Sequence, residues 1–170
     1  MKFITDKKTL NEDLLKRIMR DIFTGISYLH EIGIVHRDIK LDNIMMNIPT
    51  ADTSIEYALP KLIDFGLATV LMPRETRTEG FGTIAYCSPE IILRKPYSYS
   101  TDIWSIGVVF YVLLSGFFPF MAYEKKHVVK NILHAKLTLN SPSIFLSVSN
   151  EPKDLLLKML LRDQTKRISA

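Results

Sequence analysis

The sequence predicts a mainly α-helical fold: a helical bundle around one buried apolar helix at about 102–114, with a small β-hairpin at its edge. Three observations lead there. The run 103–123 carries no charged residue, and a helix apolar all round lies in a protein core or in lipid. Residues 9–30 and two later stretches repeat apolar side chains at three- and four-residue steps, the period of an amphipathic helix. Only short apolar runs, at 34–35, 44–46 and 61–63, read as strands. With 170 residues, 47% of them hydrophobic and 24% charged, the chain suits one domain that buries most of its apolar surface.

Taken in order, residues 9–30 form the first long helix, with Leu14, Leu15, Ile18, Ile22, Ile26 and Leu29 on one face. Thr9 and Glu12 have the spacing of a capping box, and Gly33 supplies the stop. His30 reads as structural. Strand 34–35 leads into a polar segment, 36–43. Runs 44–46 and 61–63 pair as the hairpin. The connection between them, 47–60, is long for a hairpin and reads as an exposed insertion without catalytic residues. Ser100-Thr101-Asp102 opens the apolar helix. The uncharged run beyond it is close to the ~20 residues that cross a bilayer. Ser115-Gly116 and Pro119 break it after about three turns, so it belongs in the core. Residues 123–136 give a further helix, with Val128, Val129, Ile132 and Leu133 inward and His127 and His134 on the polar side. Ser149-Asn150-Glu151-Pro152 starts the last one, whose stripe is Leu155, Leu156, Met159 and Leu160.

The net charge of +4 is scattered. No basic stripe argues for nucleic acid. The single Cys87 excludes an internal disulfide and a cysteine zinc cluster and suits a reducing compartment. Met1-Lys2 is not followed by the apolar stretch of a signal peptide. These features read as an intracellular, cytoplasmic protein without a membrane span.

The chemistry sits at Asp38, Asn43 and Asp64, oxygen donors at the ends of short apolar elements. Mg²⁺ wants octahedral oxygen coordination at about 2.0–2.1 Å and takes one or two protein carboxylates, with phosphate oxygens and water completing the shell. His36-Arg37-Asp38-Ile39-Lys40-Leu41-Asp42-Asn43 and Asp64-Phe65-Gly66 resemble the H-R-D-x-K-x-x-N and D-F-G motifs of eukaryotic protein kinases of the serine/threonine type. A lone D-F-G would carry little weight; both motifs in order carry much more. The resemblance implies a protein-kinase-like C-terminal lobe whose hairpin carries the catalytic and D-F-G loops, with ATP and Mg²⁺ as cofactors. It implies that Asp38 accepts or orients the proton of a substrate hydroxyl and that Lys40 neutralises the transferred phosphate. Asn43 and Asp64 would hold Mg²⁺, with Ile44 and Ile63 at the floor of the nucleotide site.

Downstream, 64–90 resembles the activation segment, closing at Ser88-Pro89-Glu90 where the family has A-P-E. Gly82-Thr83 would begin the substrate-docking loop, with Thr83 bonded to Asp38. Lys40 and Thr83 point to serine or threonine acceptors in a protein substrate, and Leu67 to serine. Gly80-Phe81-Gly82-Thr83-Ile84-Ala85 matches G-x-G-x-x-A only formally, since it follows no strand and opens no helix. Asp102-Ile103-Trp104-Ser105-Ile106-Gly107 resembles D-x-W-S-x-G, whose Asp caps the helix and holds the catalytic loop from below; a plain N-cap worth ~1 kcal/mol is also compatible. Asp163 to Arg167 resembles D-P-x-x-R with Gln164 for Pro, which implies a pair between Arg167 and Glu90. Arg37 marks kinases that bring an anion to this arginine. Glu79, three residues before Gly82, would pair with it; the alternative is a solvated glutamate with Thr76 or Thr78 as a phosphosite. Asp42 stands where basic-directed members carry a carboxylate facing substrate arginines, or is a solvated loop residue.

The resemblance covers one lobe, so 1–170 reads as a partial catalytic domain. The family's glycine-rich loop, strand lysine and partner glutamate have no counterpart before His36, and its last helix, expected after Ala170, is absent from 1–170. The motif spelling and the run 102–120 most resemble the calcium/calmodulin-regulated group, in particular the calcium-dependent kinases of plants and protists. No EF-hand loop occurs, so calcium or calmodulin control would need sequence beyond Ala170. Two functions follow: an ATP-dependent protein serine/threonine kinase present as its catalytic large lobe, or a non-catalytic docking or scaffold fragment.

Overall fold

The computed structural model describes residues 12–47, 58–72, 75, 77–139, 143–146 and 148–170. Thr9 of the capping box, residues 48–57 of the insertion and Thr76 lie outside the described residues.

The apolar run forms helix α3, Ser100–Ser115, in which every residue except Ser100 and Leu113 is buried. It stops where the sequence required. Gly116 takes a left-handed φ of 75° and donates its N–H to Val112 O at 2.8 Å. Among the described residues no helix is long and apolar enough to cross a membrane. The other helices pack around α3. The first, α1 (Glu12–Glu31), buries Leu15, Ile18, Met19, Ile22 and Ile26, while Leu14 and Leu29 of the expected stripe are only half-buried. Helix α4 (Lys125–His134) buries Val128 and Ile132 and leaves His127 and His134 exposed. Helix α5 (Asn150–Met159) buries Leu156 and Met159. Its end lies so close to α3 that a Cβ on Gly107 would sit 2.9 Å from Leu160 Cδ2.

Two small antiparallel sheets carry the polar loops. Strands β2 (Ile44–Asn47) and β3 (Leu59–Leu62) form the expected hairpin, with Ile44 opposite Leu62. Ile63, expected within the second strand, lies just beyond it and still donates its N–H to Asn43 O at 2.9 Å. Strand β1 (Ile34–Val35) pairs with β4 (Thr69–Val70), Ile34 opposite Val70. The β4 partner was not foreseen, because two residues are too short to show a strand period.

The C-terminal loop is tied to the short helix α2 (Pro89–Ile92) through buried charge. Arg167 forms a two-pronged pair with Glu90, Nη1 to Oε1 at 2.7 Å and Nη2 to Oε2 at 3.0 Å. It also donates to Ser100 O at 2.7 Å and Leu161 O at 2.9 Å, and lies over the Trp104 ring. Gln164, the departure from the expected proline, bridges the same region: its amide donates to Pro96 O at 2.8 Å and its carbonyl accepts from the Ser100 hydroxyl at 3.3 Å. Removing one partner of a buried pair leaves the other charge uncompensated, so Arg167→Met should cost about 3–5 kcal/mol. Urea denaturation monitored by the single tryptophan tests this; a loss below about 1 kcal/mol would show that the pair does not anchor the loop.

Candidate active site

The polar loop after β1 runs through backbone that side chains rarely adopt. Arg37 has φ 69° and, on the facing loop, Asp64 has φ 62°. Such residues cost about 1–3 kcal/mol each and persist only when their surroundings over-determine them. For Arg37 the determinant is Asp102, 1% exposed in the first turn of α3. Asp102 Oδ2 accepts the His36 N–H at 2.9 Å and Oδ1 the Arg37 N–H at 3.0 Å. His30 Nε2, at the end of α1, approaches Oδ2 at 3.0 Å. These contacts are the hold on the loop that the resemblance implied; the capping half of that expectation is a correction, since α3 starts at Ser100 with no side-chain cap.

The next residue, Asp38, is the focus of three side chains. Its Oδ2 accepts from Lys40 Nζ at 2.6 Å and from Asn43 Nδ2 at 3.1 Å. Its Oδ1 has the Thr83 hydroxyl at 3.4 Å, and Lys40 Nζ reaches the same hydroxyl at 3.4 Å. The hydrogen bond to Asp38 first, then the charges of Asp38, Asp42 and Asp64, hold the Lys40 ammonium above the usual lysine range. Asn43 spends its amide hydrogens on Asp38 O, at 2.8 Å, and on the carboxylate. Its Oδ1 has no hydrogen-bond donor among the described residues. The Ile63 N–H to Asn43 O bond brings the D-F-G loop alongside, and Asp64 Oδ1 accepts only from Gly66 N, at 3.1 Å. The exposed Asp64 carboxylate, with one oxygen left without a donor among the described residues, and the Asn43 amide oxygen fit a hard cation that takes most of its shell from phosphate and water. No cluster of three or more His, Cys, Asp or Glu able to hold a metal occurs among the described residues.

The activation segment meets the loop at Arg37. Its Nε donates to Leu67 O, its Nη1 to the Tyr97 hydroxyl at 3.0 Å, and its guanidinium lies 4.9 Å from the Phe81 ring centre. Glu79 Oε1 comes no closer than 3.8 Å to Arg37 Nη1 and shares itself with Arg77 at 3.7 Å. The Glu79 side chain is 52% exposed. Its own backbone N–H, then Arg77 and only after that Arg37, hold its carboxyl below the usual range. Gly82 takes φ 78°, and a Cβ there would lie 3.0 Å from Arg37 O. The glycine-patterned stretch opens only a one-turn 3₁₀ element, Ile84–Tyr86. Burial pushes the Cys87 thiol up to about 11, which leaves it unreactive at neutral pH. Asp42 is exposed on the turn Leu41–Asn43. No sequence signal marked Tyr97, whose partners Glu79 and Arg37 stand 18 and 60 residues away.

The model of the protein kinase domain matches residues 1–170. Myosin light chain kinase 3 of Danio rerio is 39% identical over 151 residues, 89% of this chain and 20% of that protein. Serine/threonine-protein kinase H1 homolog of Danio rerio is 36% identical over 162 residues, 91% of this chain and 36% of that protein. Calcium-dependent protein kinase 4 of Plasmodium falciparum is 36% identical over 167 residues, 98% of this chain and 30% of that protein. The chain thus spans 20–36% of the length of these relatives. With both motifs facing one another and the family matched end to end, the chain belongs to the protein kinase domain family.

Proposed function

We propose that residues 1–170 form the catalytic large lobe of an ATP-dependent protein serine/threonine kinase. The observation that carries this is the Asp38 carboxylate, fixed by Lys40 and Asn43 beside the free oxygens of Asn43 and Asp64. Mg²⁺–ATP, when bound, supplies the transferable γ-phosphoryl group, and Asn43 Oδ1 and Asp64 are the metal's protein ligands. Asp38 Oδ1, whose hydrogen-bond contact is the long one to Thr83, orients the substrate hydroxyl and accepts its proton. Lys40 stays charged beside it and sets a positive charge where the phosphoryl oxygens gather. Lys40 and Thr83, which meet at 3.4 Å beside Asp38, stand where the resemblance implies a serine or threonine acceptor, and the names of the relatives support that acceptor class. The compartment that suits this reading is the cytoplasm, and any calcium or calmodulin control would come from sequence outside 1–170.

The second reading, a non-catalytic docking module, is favoured by an open groove of about 290 Å³ between α1 and β3, lined by Ile22, Leu29, Leu62 and Phe65. Peptide phosphorylation separates the two. Residues 1–170 alone should show negligible transfer, because a phosphate-covering glycine-rich loop is not part of the assembled site. Turnover by 1–170 that Asp38→Asn abolishes would overturn this. In the full-length protein Asp64→Asn should remove most of kcat, and near-normal activity at saturating Mg²⁺ would refute the metal-ligand role.

Asp42 gives a second prediction. Exposed immediately before Asn43, it can face a cation on the bound peptide. A peptide library presented to the full-length protein should show a basic residue preferred shortly before the target serine, and Asp42→Ala should flatten that preference. No basic preference would leave Asp42 as a solvated loop residue.

A further inference from the structure

We propose that Tyr97 is the positioning residue that locks the activation segment onto Arg37, an inference that rests on the kinase reading of the site. Tyr97 is 0% exposed and touches the segment at three places. Its backbone N–H bonds to Arg77 O at 3.0 Å, in an isolated antiparallel bridge. Its hydroxyl donates to Glu79 Oε2 at 3.5 Å. Its ring stands edge-on to Phe81 at 5.0 Å. The same hydroxyl accepts from Arg37 Nη1 at 3.0 Å, so one oxygen joins the segment to the residue next to Asp38.

The competing anchor, Glu79, is weaker on every count. Its distance to Arg37 is beyond hydrogen-bond range, it is half exposed, and Arg77 competes for it. A neutral hydroxyl on a guanidinium, with both partners shielded, is a hydrogen bond to a charged group and so stronger than a neutral pair. Arg37 is thereby held by a hydroxyl, a carbonyl (Leu67 O) and an aromatic face. That set fixes the stretch leading to Gly82 and Thr83 without requiring an anion. Because Thr83 reaches Asp38, loosening the segment disturbs the peptide side of the site. Asn43 and the start of the D-F-G loop are joined separately, by the Ile63 N–H to Asn43 O bond.

The test is Tyr97→Phe in the full-length protein, which keeps the ring and removes the hydroxyl. Losing a hydrogen bond to a charged group corresponds to about tenfold in a local equilibrium. Amide hydrogen exchange over 77–83 should therefore quicken about tenfold, with exchange in α3 unchanged. The peptide kcat/KM should fall about tenfold while KM for ATP moves less than twofold. In an Arg37→Met background, Tyr97→Phe should add nothing to the loss. Glu79→Gln should change segment exchange by less than Tyr97→Phe does. Unchanged exchange in Tyr97→Phe, equal quickening across the whole domain, or an effect of Glu79→Gln as large as that of Tyr97→Phe would each overturn the proposal. If the unsubstituted protein transfers no phosphate that Asp38→Asn abolishes, the functional reading fails, and the exchange data still decide the role of Tyr97.

Discussion

The site depends on one carboxylate that does no chemistry. Asp102 rises from the first turn of the core helix and binds two successive backbone N–H groups of the loop that carries Asp38. Those bonds are charge-assisted, and so stronger than bonds between neutral groups. They hold Arg37 in a left-handed conformation that the chain would otherwise leave. The geometry of the reacting carboxylate is therefore inherited from α3, the most buried element of the fold, through a single side chain. His30 adds a third contact from α1, so two packed helices determine the loop from below. A buried carboxylate is tolerable only when its lone pairs are filled, and here backbone and imidazole fill them.

The same helix start is held from its other side. Arg167 reaches Ser100 O as well as Glu90, so the end of the activation segment, the beginning of α3 and the C-terminal loop meet at one guanidinium. Gln164 reinforces that junction by spanning Pro96 and Ser100, which a proline could not do for want of a side-chain donor. Tyr97 and Tyr99 lie between this junction and the catalytic loop. The Tyr99 hydroxyl donates to Leu71 O at 3.0 Å, and Tyr97 holds Arg37. The short stretch 96–102 thus meets the activation segment at Leu71 and again at 77–81.

What the sequence made legible follows from how local each determinant is. The apolar run, its stop at Gly116, the α1 stripe and the β2–β3 hairpin are all written within a few residues and all appear, although Leu14 and Leu29 are only half-buried and Ile63 falls just beyond its strand. The grouping of Asp38, Lys40, Asn43 and Asp64 could be read because two short motifs carry it. Strand β4 could not be read, since its two residues exist as a strand only through pairing with Ile34 and Val35. Tyr97 was invisible for the same reason: its role lies wholly in contacts across long sequence separations. For Asp102 the resemblance implied both a cap and a hold on the loop; only the cap is missing, because two loop N–H groups take the same oxygens.

The contacts around the site grade in permanence from core to edge. At the inner end, Glu90 and Arg167 form a fully desolvated pair whose separation would strand two buried charges. Asp102 is likewise buried, with every contact short. At the outer end, Arg37 meets the segment through a hydroxyl, a carbonyl and a ring face, none of which would be stranded as a charge by letting go. Opening that end costs one or two hydrogen bonds, whereas opening the inner end would disrupt the core. Local opening in proteins follows such differences. Among these contacts, those of Arg37 therefore open more cheaply than those of Arg167 and Asp102, and the loop bearing Asp38 is tied to the less costly end through Arg37.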